Sequence, residues 1–322
     1  MIKYTLLVML ISQIVFASEK DSLVTPSVFK QKLNLLNSFS DEDDCDACGC
    51  SASGGSMGFA SIITSNFIGL RYFNQSYKTN DGLYSNSPWL DQNFNTIQLW
   101  SRIPLSEKIQ ASVQIPYHYN TRELEEGNQS ISGIGDITLL GLYRLVQSHA
   151  DSLVYKHSVY LGGGLKIPTG AYDESNNGSV NPSFQLGTGS WDYFLLTEYT
   201  LRKNKWGLNN MINYIIKTKN KKDYQFGNQF NYGSTLFYLL EINNFTIAPQ
   251  VGIAGEVYDS NELRGLTLKN TSGDILFSKI GFEMGKNKIS LGAHAFVPIQ
   301  QNLTGGLVEA NYRWNVYFNY SL

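Results

Sequence analysis

The chain holds three cysteines, Cys45, Cys48 and Cys50, spaced Cys-x-x-Cys-x-Cys directly behind the acidic run Asp41-Glu42-Asp43-Asp44. Three thiols this close can wrap one soft ion such as Cu(I) or Zn, because thiolate is the ligand such ions prefer and the bound charge favours it. The neighbouring carboxylates could add oxygen ligands. Two other readings stand beside metal binding. One is a disulfide between Cys45 and Cys48, structural or redox-active, in an oxidising compartment. The other is an extension with no chemistry of its own, since acidic runs are commonly only solvated. No other cofactor site is expected.

Enzymatic chemistry finds little to work with. The four histidines are His118, His149, His157 and His294, and no Gly-x-Ser-x-Gly elbow or His-Glu-x-x-His pair accompanies them. His118 and His294 are expected to face a lumen, His149 to lie in a turn and His157 to face outward. A barrel phospholipase would need Ser and His to meet on an outer face, and no motif here marks such a meeting. The reading is that the chain is not an enzyme.

A larger set of chemistry-bearing groups sits on the hydrophilic sides of alternating segments: Arg102, Arg144, Lys166, Asp192, Glu198, Arg202, Glu256, Lys279, Glu283 and Arg313, with His294 among them. Charges of both signs facing one lumen either line a polar pore or pair and close it. These residues are the expected pore lining.

Such groups need strands to position them. Aromatics make up 13% of the 322 residues against 16% charged, with 20 Tyr, 17 Phe and 29 Gly, a balance that favours strands over helices. A net charge of −2 gives no electrostatic reason to expect nucleic acid as a partner.

Lys3 followed by an apolar run from Tyr4 to Phe16 and the small Ala17 reads as a secretory signal peptide over residues 1–17, cleaved after Ala17. An N-terminal membrane anchor is the weaker reading, because the run falls short of the ~20 residues that cross a bilayer. Residues 18–58 read as a polar, Cys-containing acidic extension on the periplasmic side, and residues 59–322 as a barrel. Beyond residue 17 no apolar run approaches ~18 residues, so a membrane location requires a closed barrel.

Period-two alternation runs through residues 59–322. Ile109, Ala111, Val113, Ile115, Tyr117 and Tyr119 oppose Gln110, Ser112, Gln114, His118 and Asn120. The same pattern is read from Tyr224 to Tyr238 as one strand, and from Phe245 to Val257. It closes the chain with Tyr312, Trp314, Val316, Phe318, Tyr320 and Leu322, an amphipathic last strand of the kind the barrel-assembly machinery reads. Twelve strands are expected, centred near Asn66, Leu99, Val113, Leu140, Leu161, Leu195, Ile212, Phe230, Val251, Ile280, Ala293 and Val316.

Connections at Pro104–Glu107, Gln147–Ser152, Lys203–Lys205, Glu241–Asn244 and Lys286–Lys288 are short. Those at Thr79–Asn93, Thr121–Ser132, Thr169–Gln185, Thr218–Lys222, Tyr258–Ser272 and Gln300–Gly306 are mostly longer. This alternation is that of an outer-membrane barrel, with periplasmic turns, external loops and both termini in the periplasm. A soluble sandwich would instead enclose its apolar face and fill it with smaller branched residues. The fold class is therefore all-β: a transmembrane antiparallel β-barrel of about twelve strands with an irregular N-terminal extension.

Three stretches carry a family resemblance: Gly133-Ile134-Gly135-Asp136, Lys166-Ile167-Pro168-Thr169-Gly170, and Gly187-Thr188-Gly189-Ser190-Trp191-Asp192. In this order they resemble the outer-membrane transporter family named for the meta-cleavage pathway of phenol degradation. The resemblance implies an outer-membrane barrel that passes small, hydrophobic solutes. Read on their own, the glycines permit tight or bulged backbone, and Asp136 and Asp192 can bond nearby backbone groups. The expected function is a channel or transporter in the cell outer membrane for small solutes, hydrophobic or metal-related. Lipid, solute and the assembly machinery are its expected partners. The alternative is a non-conducting structural or surface-binding barrel.

Overall fold

A computed structural model of the protein describes residues 58, 60–80, 87–124, 127–148, 154–173, 176–179, 181 and 183–322. The cysteine cluster, the expected signal peptide and His149 lie outside them.

Twelve antiparallel strands form one closed ring: β1 (Phe67–Thr79), β2 (Leu90–Pro104), β3 (Ile109–Leu124), β4 (Ile137–Gln147), β5 (Tyr155–Ile167), β6 (Asp192–Lys203), β7 (Trp206–Lys217), β8 (Gln229–Tyr238), β9 (Phe245–Tyr258), β10 (Gly273–Lys286), β11 (Ile289–Leu303) and β12 (Val308–Ser321). Each pairs with its neighbours in sequence. The ring closes where β1 meets β12, with Phe67 opposite Ser321 and Thr79 opposite Val308. Closure leaves no free sheet edge, so every wall strand has a hydrogen-bonding neighbour on both sides, as lipid requires.

The side chains are sorted in the reverse of a soluble core. Along β3, Gln110, Ser112, Gln114, His118 and Asn120 are buried, while Ile109, Tyr117 and Tyr119 are exposed. Along β12, Arg313, Asn315 and Asn319 are buried, and Tyr312, Trp314, Val316, Phe318 and Tyr320 face out. Outward rings gather near both rims. Tyr143, Tyr155, Trp206 and Tyr320 stand at the short-turn end, and Tyr119, Trp191, Tyr193 and Tyr312 towards the long-loop end. These are the interfacial girdles of a membrane barrel, where an amphipathic ring meets headgroups.

Short-turn chemistry is legible in asparagine. The two-residue turns after β6, before β9 and after β10 place Asn204, Asn243, Asn244 and Asn287 at φ of +53°, +48°, +66° and +55°. Asn tolerates this left-handed region because its short amide can bond locally, and such turns match the twist of a hairpin.

The structure corrects three element boundaries. Asn66 precedes β1 instead of centring it. The alternation from Tyr224 is not one strand: Tyr224–Gln225 pairs separately with Glu262–Leu263, and β8 begins only at Gln229. The break falls at Gly227 and Asn228, which bond across to Asn261 and Asp259 instead of continuing the wall. Between β3 and β4 the sequence suggested a long loop from Thr121. The strands instead run on, β3 to Leu124 and a further strand Gly127–Ile134 that pairs with it before β4. Polar residues suffice there because these segments rise past the hydrocarbon, which ~9–11 residues already cross.

Leu99 lies outward on β2, exposed, and between Leu70 and Ile115 on the neighbouring strands. Leu99→Arg is expected to cost about 2–4 kcal/mol at bilayer mid-depth, whereas Leu99→Val stays near neutral. Urea-titrated folding into phospholipid vesicles, read by the unheated gel shift, measures the difference. Equal midpoints for both variants would place Leu99 away from lipid.

Candidate functional site

The three resembling stretches converge on one cluster at the long-loop end of the barrel. Asp136 stands in the gap between the strand Gly127–Ile134 and β4. Its Oδ1 accepts from the Gly170 N–H at 2.9 Å, and its Oδ2 accepts from the Thr188 N–H at 2.9 Å and the Thr188 hydroxyl at 2.8 Å. Lys166, near the end of β5, reaches Asp192 at 2.5 Å and Asp136 at 3.4 Å, and donates to Thr188 Oγ1 at 2.9 Å. Ser190 Oγ donates to Asp192 Oδ1 at 3.0 Å, and Thr169 Oγ1 donates to the Gly135 carbonyl at 2.6 Å. A Cβ at Gly187 would fall 2.5 Å from Asp136 Oδ1, so the loop closes on the carboxylate only with glycine there. Gly189 has φ of +66°, where a side chain is strained.

This clasp ties the β5–β6 connection, residues 168–191, to the wall. Beyond it the same connection turns into the mouth. Arg122 donates to the Gly178 carbonyl at 2.7 Å and the Asn177 carbonyl at 2.8 Å, and Gln92 donates to Ser179 Oγ at 2.8 Å. Phe184 is fully buried against the inward-facing Phe94 ring, which in turn meets Tyr77 edge-on. Phe73, Phe277 and Phe296 belong to the same inward cluster.

Lower in the barrel the interior is crossed by ion pairs. Arg102 on β2 meets Glu198 on β6 at 2.9 Å, a chord between strands four places apart in the ring, and also donates to Gln110. Arg313 on β12 meets Glu256 on β9 at 2.7 Å, with Tyr77 accepting from its Nε at 3.0 Å and Phe277 beneath the guanidinium at 4.4 Å. Tyr258 donates to the same Glu256 carboxylate. Removing two charges from water costs more than their attraction returns unless the remaining donors and acceptors are satisfied. The tyrosines and Gln110 do that here.

At the short-turn end, residues 60–64, just ahead of β1, lie against the inner wall. Glu283 accepts from the Ile62 N–H at 2.8 Å, the Ile63 N–H at 3.4 Å, Tyr317 at 3.1 Å and the Ser61 hydroxyl. Arg71, stacked 4.6 Å over Trp100, donates to the Gly58 carbonyl at 3.1 Å. A cavity remains between this strap and the wall, bordered by Ala60, Ile62, Leu196, Met211, Lys279 and His294.

Of the residues expected to line the pore, Arg102, Lys166, Asp192, Glu198, Glu256, Glu283 and Arg313 are buried inside the ring, and Arg144, Lys279 and His294 are half-buried. Arg202 is exposed at the short-turn rim, where β6 leaves the wall. The sequence reading missed Asp136, Arg71 and Arg122 as interior charges, and the strap at residues 60–64. His118 is buried against Thr96 at 2.8 Å, and His157 contacts Tyr199. Among the described residues no group of three or more His, Cys, Asp or Glu could hold a metal ion.

A family model described as "Putative MetA-pathway of phenol degradation" matches residues 92–274. An outer membrane channel from Pseudomonas putida F1 superposes with a TM-score of 0.62 at 15% identity, covering 81% of this chain and 97% of that one. The beta domain of the Bordetella autotransporter BrkA gives a TM-score of 0.48 at 9% identity, covering 80% of this chain and 100% of its own. At 15% identity the likeness to the channel is one of fold. No curated protein matches the sequence.

Asp136→Ala leaves the Gly170 and Thr188 donors without their acceptor and Lys166 with one carboxylate. The expected loss is about 3 kcal/mol, with a new protease-sensitive site within residues 168–191. Denaturant unfolding of the membrane-inserted protein and limited proteolysis check both, and an unchanged digestion pattern would mean that other contacts hold the loop.

Proposed function

This chain belongs to the phenol-degradation MetA-pathway family, and from that premise we propose that it is a narrow outer-membrane channel for small solutes. The observation that carries the reading is the inverted polarity of the ring. Gln, Asn, Ser and charged side chains fill an interior that the apolar exterior isolates from lipid, and a cavity persists among them. The likeness in fold to a barrel described as an outer membrane channel agrees with it. In this reading the short turns and both termini lie in the periplasm and the longer loops outside. The last strand β12 is what the assembly machinery recognises, and the solute is small, hydrophobic or metal-related.

A second reading, a barrel that does not conduct, is favoured by the Arg102–Glu198 chord and by chain segments lying in both mouths. Planar-bilayer recording separates the two. Wild type is expected to give small, reproducible conductance steps. Glu283→Ala, which releases the strap of residues 60–64, is expected to enlarge them. A correctly folded barrel silent in both forms would leave the structural reading.

The Cys45, Cys48 and Cys50 cluster remains a proposed soft-metal site. Cu(I) or Zn titration of the full chain and of its triple Cys→Ser variant tests it, and equal affinities remove the idea.

A further inference from the structure

Two turns at the short-turn end share one sequence, Lys-Asn-Lys: Lys203-Asn204-Lys205 between β6 and β7, and Lys286-Asn287-Lys288 between β10 and β11. In each, the asparagine is left-handed and the first lysine lies over an outward ring, Lys203 over Tyr155 at 4.9 Å and Lys286 over Phe245 at 4.5 Å. Lys288 reaches the other way, to 5.5 Å from the Tyr320 ring on β12. Lys286 and Lys288 are exposed, and among the described residues neither has an ion-pair partner. This end of the barrel is cationic. Among the described residues Lys108, Arg202, Lys203, Lys205, Lys286 and Lys288 are exposed there, against the side chains of Glu107 and Glu241.

The outer wall beneath the second turn sets it apart from the first. Across β10, β11, β12 and β1 the register places Phe282, Ala293, Val316 and Tyr72 side by side on the outward face. Two small side chains between two rings leave a trough. One pleat nearer the turn come Met284, Leu291, Phe318 and Leu70, and one further are Lys286, Ile289 and Tyr320. The first two of these rows line an open groove of about 580 Å³, with Ile97 at its far side and the inward-facing Arg71, Gly292 and Tyr317 completing its floor. Small-ligand sites occupy ~300–1,000 Å³. Its outward side chains are apolar except for the Tyr72 hydroxyl, which donates to Asn95 at 2.7 Å.

We propose that the groove and the turn above it form one site for an anionic phospholipid, an acyl chain lying over Ala293 and Val316 and the phosphate held by the ammonium groups of Lys286 and Lys288. Phe245 and Tyr320 keep the two lysine stems at headgroup level, where a ring face favours a cation. The headgroup carries net negative charge because two ammoniums without carboxylates attract an anion and repel an added amine. The site is independent of whether the barrel conducts. It shares with the reading above only the placing of the short turns on the periplasmic side, where the leaflet is phospholipid.

The test uses the full-length protein, folded in detergent and checked by its unheated gel shift. It is mixed with equal amounts of dioleoyl phosphatidylglycerol and dioleoyl phosphatidylcholine, and retained lipid is read by native mass spectrometry. Wild type is expected to hold one phosphatidylglycerol in preference to phosphatidylcholine by about tenfold or more, the effect of two lysines near a charged headgroup. Lys286→Gln with Lys288→Gln should bring the two lipids to parity, and Lys286→Arg with Lys288→Arg should keep the preference. Ala293→Phe, which fills the trough, should lower retention of both lipids. Lys203→Gln with Lys205→Gln, at the matching turn, should leave the preference unchanged.

A wild type that holds both lipids alike, as lipid surrounding any barrel would be held, overturns the site. So does an equal loss in the Lys203 and Lys205 pair, which would mean attraction by the whole rim, or retention that ignores Ala293→Phe. Lipid A held in preference to phosphatidylglycerol would assign the site to the opposite leaflet, and a dimer dissociated by Ala293→Phe would make its occupant a second copy of the chain. Either overturns the proposal. Should Ala293→Phe fail to fold, the two Lys→Gln pairs still decide by their opposite outcomes. Selective retention by a barrel that never conducts sustains the site and sinks the channel, and conduction without selective retention does the reverse.

Discussion

Hydrocarbon offers the peptide backbone no hydrogen-bonding partner, and the rest of the structure follows from that constraint. A sheet in lipid must close so that no N–H or C=O row is left bare. The pairing of β1 with β12 accomplishes closure, and the pairing of β8 with β9 carries the ring past the break at Gly227 and Asn228. Once the ring is closed, alternation has only one stable sense. Side chains of one parity meet lipid and must be apolar, and those of the other parity are released from that demand. Phe318 and Asn319, adjacent in sequence, therefore have opposite environments, one exposed and one fully buried.

Releasing the inner parity from lipid does not make it wet. A ring of twelve strands lies between barrels filled by their own side chains and barrels open to water. Here the interior is filled in two ways. Large rings and paired charges extend from the wall, as Phe277 and Arg313 do, and chain segments enter from the mouths, as Phe184 and residues 60–64 do. The wall fixes the diameter, but what a solute meets is set by these fillings. Charges enclosed this way are stable only with partners, so the paired guanidiniums act as structure. Arg71 and Arg122 meet the same need with backbone carbonyls and amide oxygens in place of a carboxylate.

The outer wall was legible in the sequence because lipid imposes a single requirement on it. Ile109 to Asn120 and Tyr312 to Leu322 alternate without exception outward, and the Asn-containing turns mark where hairpins close. The interior was less legible because it accepts both chemistries. Arg71, Phe73, Gln75 and Tyr77 all point inward along β1, and their mixture gives no apolar or polar face to read. Tyr224 and Phe226 keep the period of a strand yet pack inside from a loop, since a buried ring satisfies the same pattern as a lipid-facing one. Asp136 was seen as a local backbone acceptor. That it accepts from Thr188, far along the chain, depends on how the β5–β6 connection folds back, which no local period encodes.

The clasp also explains why a family resemblance can be visible in such short stretches. Apolar alternation identifies a barrel but not which barrel, because many residues serve equally at each outward position. The clasp tolerates far less. Asp136 must offer two oxygens to three donors, Gly187 must let the backbone approach a carboxylate, and Thr188 must supply both an amide and a hydroxyl. The residues on which the resemblance rests are thus those that place a loop in the mouth of the barrel, not those that build its wall. A barrel of this kind is then defined less by its strands than by how it is stoppered, and the passage it leaves depends on the ties that hold the stoppers.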